Sequence, residues 1–206
     1  MHTVLDLISS GVHDAKNQLF LAESLLVRAE AEHGVALDEA RYAIELAAQR
    51  LSRVLAAYRF ERGIGRLSIS IVPVSELLEE AALVNRRHCE HLGLTLDVDD
   101  HADELRAFDR ELVLDILSNA LQNASRFARA RVLLSAQIED GFLCLRVEDD
   151  GPGFAAAEMD EQSSPGIGLF VARVLALQHV REGRHGRVEL RNGGILGGGV
   201  FELYLP

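Results

Sequence analysis

Val147-Glu148-Asp149-Asp150-Gly151-Pro152-Gly153-Phe154 is the stretch on which the reading of this chain turns. The alternating run before it, Phe142-Leu143-Cys144-Leu145-Arg146-Val147, reads as a strand that ends in a carboxylate pair followed by G-P-G. A strand that stops this abruptly, with an acid at its tip and glycines beyond, suits a ligand that the backbone must approach closely. The same letters also make a good turn between two strands. The flanking sequence has to decide.

Working outward, Leu67–Ile71, Leu94–Val98 and Leu105–Phe108 alternate as strands, and Arg131–Ile138 forms a hairpin with Phe142–Val147 around Asp140-Gly141. Helices are predicted from Pro73 to His91 with Ser75 as N-cap, from Asp109 to about Phe127, and from near Gly166 to His179. Arg187–Leu190 and Val200–Leu205 supply the last strands. The order predicts an α+β two-layer sandwich over residues 66–206, with helices on one face of a mixed sheet.

Before Gly63-Ile64-Gly65, the predicted domain boundary, the pattern is purely helical. Leu5, Ile8, Val12, Ala15, Leu19, Ala22, Leu26 and Ala29 alternate at spacings of three and four, as do Ala40, Ile44, Ala47, Leu51, Val54 and Tyr58. Gly34 reads as the C-cap between two helices. Residues 1–62 thus predict an α-helical hairpin. Its seams either pack on the downstream domain or pair with a second copy as a four-helix bundle, and sustained heptads favour the second copy.

Composition narrows the function classes. The chain has 206 residues, 48% hydrophobic, with 32 acids against 21 bases and a net charge of −11. No basic run is dense enough for nucleic acid. Cys89 and Cys144 lack metal-ligand spacing and fit a reducing compartment. No apolar run approaches the roughly 20 residues of a membrane span, and Met1-His2-Thr3 opens no signal sequence. The expectation is a soluble, cytoplasmic protein without a membrane sensor of its own.

Three further stretches carry chemistry. Asn119 and Asn123 lie four apart on one helix face, where amide oxygens suit a phosphate-bound Mg²⁺, and Arg126 follows three positions later. For this helix alone an ordinary solvated polar face is the plainer reading. Gly166-Ile167-Gly168-Leu169 places glycines at a helix start, where free N–H groups favour phosphate. Gly193-Gly194-Ile195-Leu196-Gly197-Gly198-Gly199 precedes the last strand, either as part of a site or as a flexible hairpin.

Taken in order, Asn-x3-Asn, D-x-G-x-G, G-x-G-L and a glycine-rich turn before Phe201-Glu202-Leu203-Tyr204-Leu205-Pro206 resemble the ATP-binding domain of the gyrase, Hsp90, histidine kinase and MutL superfamily. The resemblance spans Leu67 to Pro206. It implies that Asn123 ligates Mg²⁺, that Asp149 accepts a hydrogen bond from the adenine amino group, and that Gly151 and Gly153 let the backbone pass under the nucleotide. Gly166 and Gly168, with Leu169, would frame a lid over the phosphates. Hydrolysing members carry a glutamate where Asn119 stands; an amide is no general base, which points to the kinase branch.

His13-Asp14-Ala15-Lys16-Asn17-Gln18-Leu19 then resembles the phosphoacceptor box of histidine kinases. With Val12 on the seam, His13 and Asn17 are predicted to point outward, and Asp14 would hold or deprotonate the imidazole's other edge. The implied protein autophosphorylates His13 from ATP and passes the phosphoryl group to a response-regulator receiver domain, docking around Leu19, Phe20 and Glu23. Its input would come from a separate sensor protein or through the N-terminal end of the first helix. Departures from the family pattern are Gln18 in place of proline, a short segment between Phe154 and Gly166, and a long one over Val180–Gly186. The rival readings are a histidine phosphotransferase relay protein with a degenerate ATP site, an anti-sigma-type serine kinase and, third, a chaperone-like ATPase.

Overall fold

Left-handed backbone at Gly34 (φ +63°) ends the first helix, its N–H returning to the Glu30 carbonyl. The computed structural model describes residues 4–102, 104–155, 159 and 166–206, with backbone only for 4–10 and 13. It divides into two units, Met1–Gly65 and Arg66–Pro206. In the first, α1 (Val4–His33) packs on α2 (Asp38–Glu61). Leu37, the N-cap residue of α2, has no polar side chain, and the Glu30 carboxylate does the capping work from across the turn. It accepts from Leu37 N–H at 2.8 Å and from Arg41 at 3.3 Å.

Seam residues Val12, Ala15, Leu19, Ala22, Leu26 and Ala29 are all half-buried, as are Ile44, Ala47, Leu51, Val54 and Tyr58. Ala40, expected on the seam, is exposed in the first turn of α2; the side chains of Leu5 and Ile8 lie outside the described residues. Within α2 only Arg53 and Ala57 are fully buried among the described residues. Phe20, Leu21, Leu25 and Val27 remain exposed.

The second unit runs β1 (Ile69–Pro73), α3 (Val74–His91), β2 (Thr95–Asp100), β3 (Leu105–Asp109), α4 (Arg110–Phe127), β4 (Arg131–Glu139), β5 (Phe142–Asp149), α5 (Ile167–Gln178), β6 (Val180–Arg181), β7 (Arg184–His185), β8 (Arg187–Asn192) and β9 (Gly199–Leu205). A mixed five-stranded sheet has the order β2-β4-β5-β9-β8, with β2 parallel to β4 and the other pairs antiparallel. Leu143, Leu145 and Val147 share the face carrying Leu203 and Phe201 of β9. The core joins them to Leu77 and Leu78 of α3, Ile116, Leu117 and Leu121 of α4, and Leu175 of α5. This is the two-layer α+β sandwich that the sequence predicts.

Two local expectations need correction, and one departure from the family pattern finds its form. β1 lies two residues later than its alternation suggested, because its register with β3 pairs Pro73 with Leu105. Ser75 is inside α3, not its N-cap; Pro73 holds that position, and the first free N–H, that of Val74, donates to Glu104 C=O at 3.0 Å. An edge carbonyl does there what a side chain was expected to do. The long segment after α5 is a second small hairpin, β6–β7, turning at Glu182 (φ +51°) and Gly183 (φ +77°). Asp109 does cap α4, accepting from Leu112 N–H at 3.2 Å. Cys89 and Cys144 are both buried and free; burial, reinforced by Glu139, pushes the Cys144 thiol up to about 11, so it is inert at neutral pH.

On the second face of the sheet, charges replace apolar side chains. Glu202 accepts from Arg146 Nε at 2.7 Å and from Arg191 Nη2 at 2.9 Å, and Arg146 Nη2 reaches Glu139 at 2.9 Å. Burial works to raise the Glu202 pKa, but the two arginines outweigh it and hold the carboxylate below its ordinary range. Elsewhere, His179 is a buried bolt between α5 and the start of α4. Its Nε2 accepts from Asp109 N–H at 3.2 Å, which leaves Nδ1 to carry the proton toward Leu175 C=O at 3.1 Å. Burial lowers its pKa.

Two expectations follow for stability. Glu202→Ala deprives the half-buried Arg146 of its shortest ion pair and should cost about 1.5–3 kcal/mol, read by urea unfolding through the amide signals of β5 and β9. Because the folded His179 resists protonation, the unfolded chain binds more protons once pH falls below 6.5. Stability should therefore decline from there downward and be insensitive to this group above it. His179→Gln should flatten that slope; an unchanged slope would assign it to another group.

Candidate active site

Asp149 ends β5 with one carboxylate oxygen tied down and the other open. It is 6% exposed. Its Oδ1 accepts from Gly151 N–H at 2.7 Å and Gly199 N–H at 3.3 Å, while its carbonyl accepts from Gly198 N–H at 3.0 Å. Oδ2 has no hydrogen bond among the described residues. A Cβ at Gly199 would stand 2.9 Å from it. A buried acceptor fixed in direction by its partner oxygen is suited to a ligand N–H.

The glycines around it are required by contact. A Cβ at Gly151 would lie 2.4 Å from the Phe127 carbonyl oxygen, and one at Gly198 would lie 2.4 Å from that of Asp149. Gly153 (φ +80°) would collide with the Asn192 side chain at 2.6 Å. The glycine run before β9 is therefore no slack hairpin. The Glu148 carboxylate, 1% exposed, accepts from Ile195 N–H at 2.7 Å and Leu196 N–H at 3.3 Å and pins that turn beside Asp149. The Asn192 amide brackets Phe154, accepting from its N–H at 2.7 Å and donating to its C=O at 2.9 Å. Sequence reading missed both residues. Their signals were an acid inside an otherwise apolar strand and an amide immediately before a glycine pair.

The other wall is α4. Asn119 is half-buried, and Gly168 in the first turn of α5 lies directly against it: a Cβ there would sit 2.7 Å from the Asn119 side chain. Asn123 and Arg126 are exposed on the same helix, with the Arg126 guanidinium 5.6 Å from the Phe127 ring centre. On the rest of α4, Ile116, Leu117, Ala120, Leu121 and Ala124 are buried and Leu112 is half-buried. Asp150 sets the spacing of α4 from β5, accepting from Arg129 N–H at 2.7 Å and Ala130 N–H at 3.1 Å. Burial acts to raise its pKa, but these backbone bonds together hold it lower than usual.

Gly166 is the N-cap of α5, and among the described residues nothing lies within 4 Å of where its Cβ would be; Leu169 is half-buried. Residues 160–165, directly before this helix start, lie outside the described residues. In the first unit His13 is on α1 with its side chain likewise outside the description, and Asp14 and Asn17 are exposed. The structure thus sets Gly151 and Gly153 just beyond the strand end that carries Asp149, with Gly151 against the last turn of α4, and places Gly168 against Asn119 on the same helix that carries Asn123 and Arg126.

Comparison with known proteins bears on this arrangement. Residues 108–206 match the family described as "Histidine kinase-, DNA gyrase B-, and HSP90-like ATPase". The sensor protein kinase CarS of Pseudomonas aeruginosa is 36% identical over 110 residues, 48% of this chain and 23% of that protein. The virulence sensor histidine kinase PhoQ of Salmonella typhimurium is 25% identical over 206 residues, 93% of this chain and 41% of that protein. The chain thus spans less than half the length of either relative. The Acinetobacter baumannii histidine kinase AdeS superposes with a TM-score of 0.64 at 17% identity, over 92% of this chain and 95% of that one, a likeness of fold. Among the described residues no helix is long and apolar enough to cross a membrane. Residues 108–206 are thus similar to the histidine kinase-, DNA gyrase B- and HSP90-like ATPase family, and a helical hairpin followed by such a domain is a fold the chain shares with AdeS.

Proposed function

We propose that this chain is an ATP-dependent protein-histidine kinase core that phosphorylates His13 and hands the phosphoryl group to the aspartate of a response-regulator receiver domain. The observation that carries the reading is Asp149: a buried carboxylate with a free Oδ2 in a cradle that Cβ atoms at Gly151, Gly198 or Gly199 would fill. That geometry fits a flat heterocycle with an exocyclic amino group, such as adenine. Asn123, an exposed amide on α4, and Arg126 beyond it suit the Mg²⁺–phosphate end. Mg²⁺ held there would neutralise charge on the phosphates.

In the proposed step an imidazole nitrogen of His13 attacks the γ-phosphorus of ATP. The N–P bond forms, the bond to the bridging oxygen breaks, ADP leaves, and the ring's other N–H proton is held or taken by Asp14. No general base for water is needed, in keeping with an amide at Asn119. Gly168 resting on Asn119 would let the start of α5 respond to what occupies the phosphate side. The half-buried seams and the exposed Phe20, Leu21 and Leu25 suit a homodimer through the hairpin, with a receiver domain docking around Leu19, Phe20 and Glu23. Input from a separate sensor protein, and a cytoplasmic location, belong to the same proposal.

With γ-labelled ATP and Mg²⁺, the purified chain should acquire acid-labile, alkali-stable label that His13→Gln abolishes. Acid-stable label would support the serine-kinase reading instead. Asp149→Asn reverses the hydrogen-bonding character of half the carboxylate and should weaken ATP binding about tenfold or more, some 1.4 kcal/mol, by calorimetry. Unmeasurable ATP binding by the unaltered chain would sink the kinase and leave the relay protein.

A further inference from the structure

At the far end of β5, roughly 25 Å from Asp149 by the strand rise, Arg106, Arg181 and Arg184 line one cavity of about 210 Å³ together with Gly141, Glu182 and Pro206. Arg106 comes from β3. Its Nη2 is spent on Glu104 at 2.8 Å, but its buried Nε has no hydrogen-bond partner among the described residues. A guanidinium N–H withdrawn from water without an acceptor is unfavourable, and such groups are uncommon unless a ligand or ion completes them.

The other two arginines are placed at a cost of their own. The β6–β7 register sets Arg181 directly opposite Arg184, flanking the two-residue turn, and like charges facing each other across a ladder repel. Arg184 is held in place regardless. Its Nη2 donates to Asp140 C=O at 2.6 Å, and the guanidinium stands 3.8 Å from the Phe142 ring centre. Arg181 makes no hydrogen bond or ion pair among the described residues. A ligand that accepts several N–H bonds at once relieves both the unpaired Nε and the facing charges.

Beside this cavity, and sharing Arg181 and Pro206 with it, is an apolar hollow of about 130 Å³ walled by Ile69, Ala107, Val180 and Leu205. We propose that the two together form a binding site for a small phosphate-type oxyanion bearing a short apolar group. The oxyanion is seated on Arg106, Arg181 and Arg184, and the apolar group lies in the hollow. This site is separate from the strand end at Asp149, and its test needs no nucleotide.

The test follows arginine Nε–H signals of the nitrogen-15-labelled chain at constant ionic strength, replacing chloride by inorganic phosphate or by butyl phosphate. The Arg106 signal should shift saturably with both, with butyl phosphate reaching half-saturation at several-fold lower concentration. Arg181→Ala, at an exposed position, should raise either concentration at least tenfold while leaving the amide spectrum of the sheet in place. Equal behaviour of the two anions would overturn the apolar half of the site. A shift that grows linearly without saturation, or one unaltered in Arg181→Ala, would overturn the site itself.

Discussion

A carboxylate can be both buried and available only if its surroundings supply part of its hydrogen bonding and withhold the rest. Asp149 meets that condition through Gly151 and Gly199, whose N–H groups converge on Oδ1. Side chains at either glycine would force the backbone away and break the arrangement. The requirement then propagates outward. Gly199 must open β9, so the turn before it must be held, and Glu148 holds it with the adjoining residue of the same strand. Consecutive acids on β5 thus face opposite ways and secure the same turn from two sides.

The same logic fixes the distance from strand to helix. Asp150 collects the first N–H groups after α4, and the Phe127 carbonyl sits where a side chain on Gly151 would be. At the other end of α4, Asp109 caps the helix by its carboxylate while its own N–H is received by His179 from the end of α5. Three acids, Asp109, Asp149 and Asp150, therefore act on backbone amides rather than on cations. An acidic chain can use its charge in this way without compensating bases, since each carboxylate so bonded is stabilised by dipoles.

Where the sequence was legible, the reason was local chemistry. Asp140-Gly141, both in left-handed backbone, could only be a tight hairpin, and Asp109 before an apolar period of 3.6 could only be a cap. The glycines at 151 and 153 announced close approach, and contact bears this out for both. Gly166 made the same announcement with no neighbour among the described residues to justify it. Illegible were bonds whose partners are far apart in the chain. Asn192 to Phe154 spans 38 residues, and Glu148 to Ile195 spans 47; no spacing rule encodes either. Ser75 was misread for a related reason, because the β3 edge supplied from outside the acceptor that a local cap would have provided.

The pairing of β5 with β9 has a consequence for how this unit comes into being. Asp149 and Gly199 are 50 residues apart, and α5 and three short strands intervene before they meet. Hairpin β4–β5 and helix α4 can form from neighbouring sequence, whereas the strand-end pocket waits on a long loop closure whose entropy is lost before any contact repays it. The pocket is thus complete only once β9 has paired with β5. Any ligand held there would be reported by the persistence of β9 in the sheet, which makes that strand the natural gauge of occupancy in amide exchange.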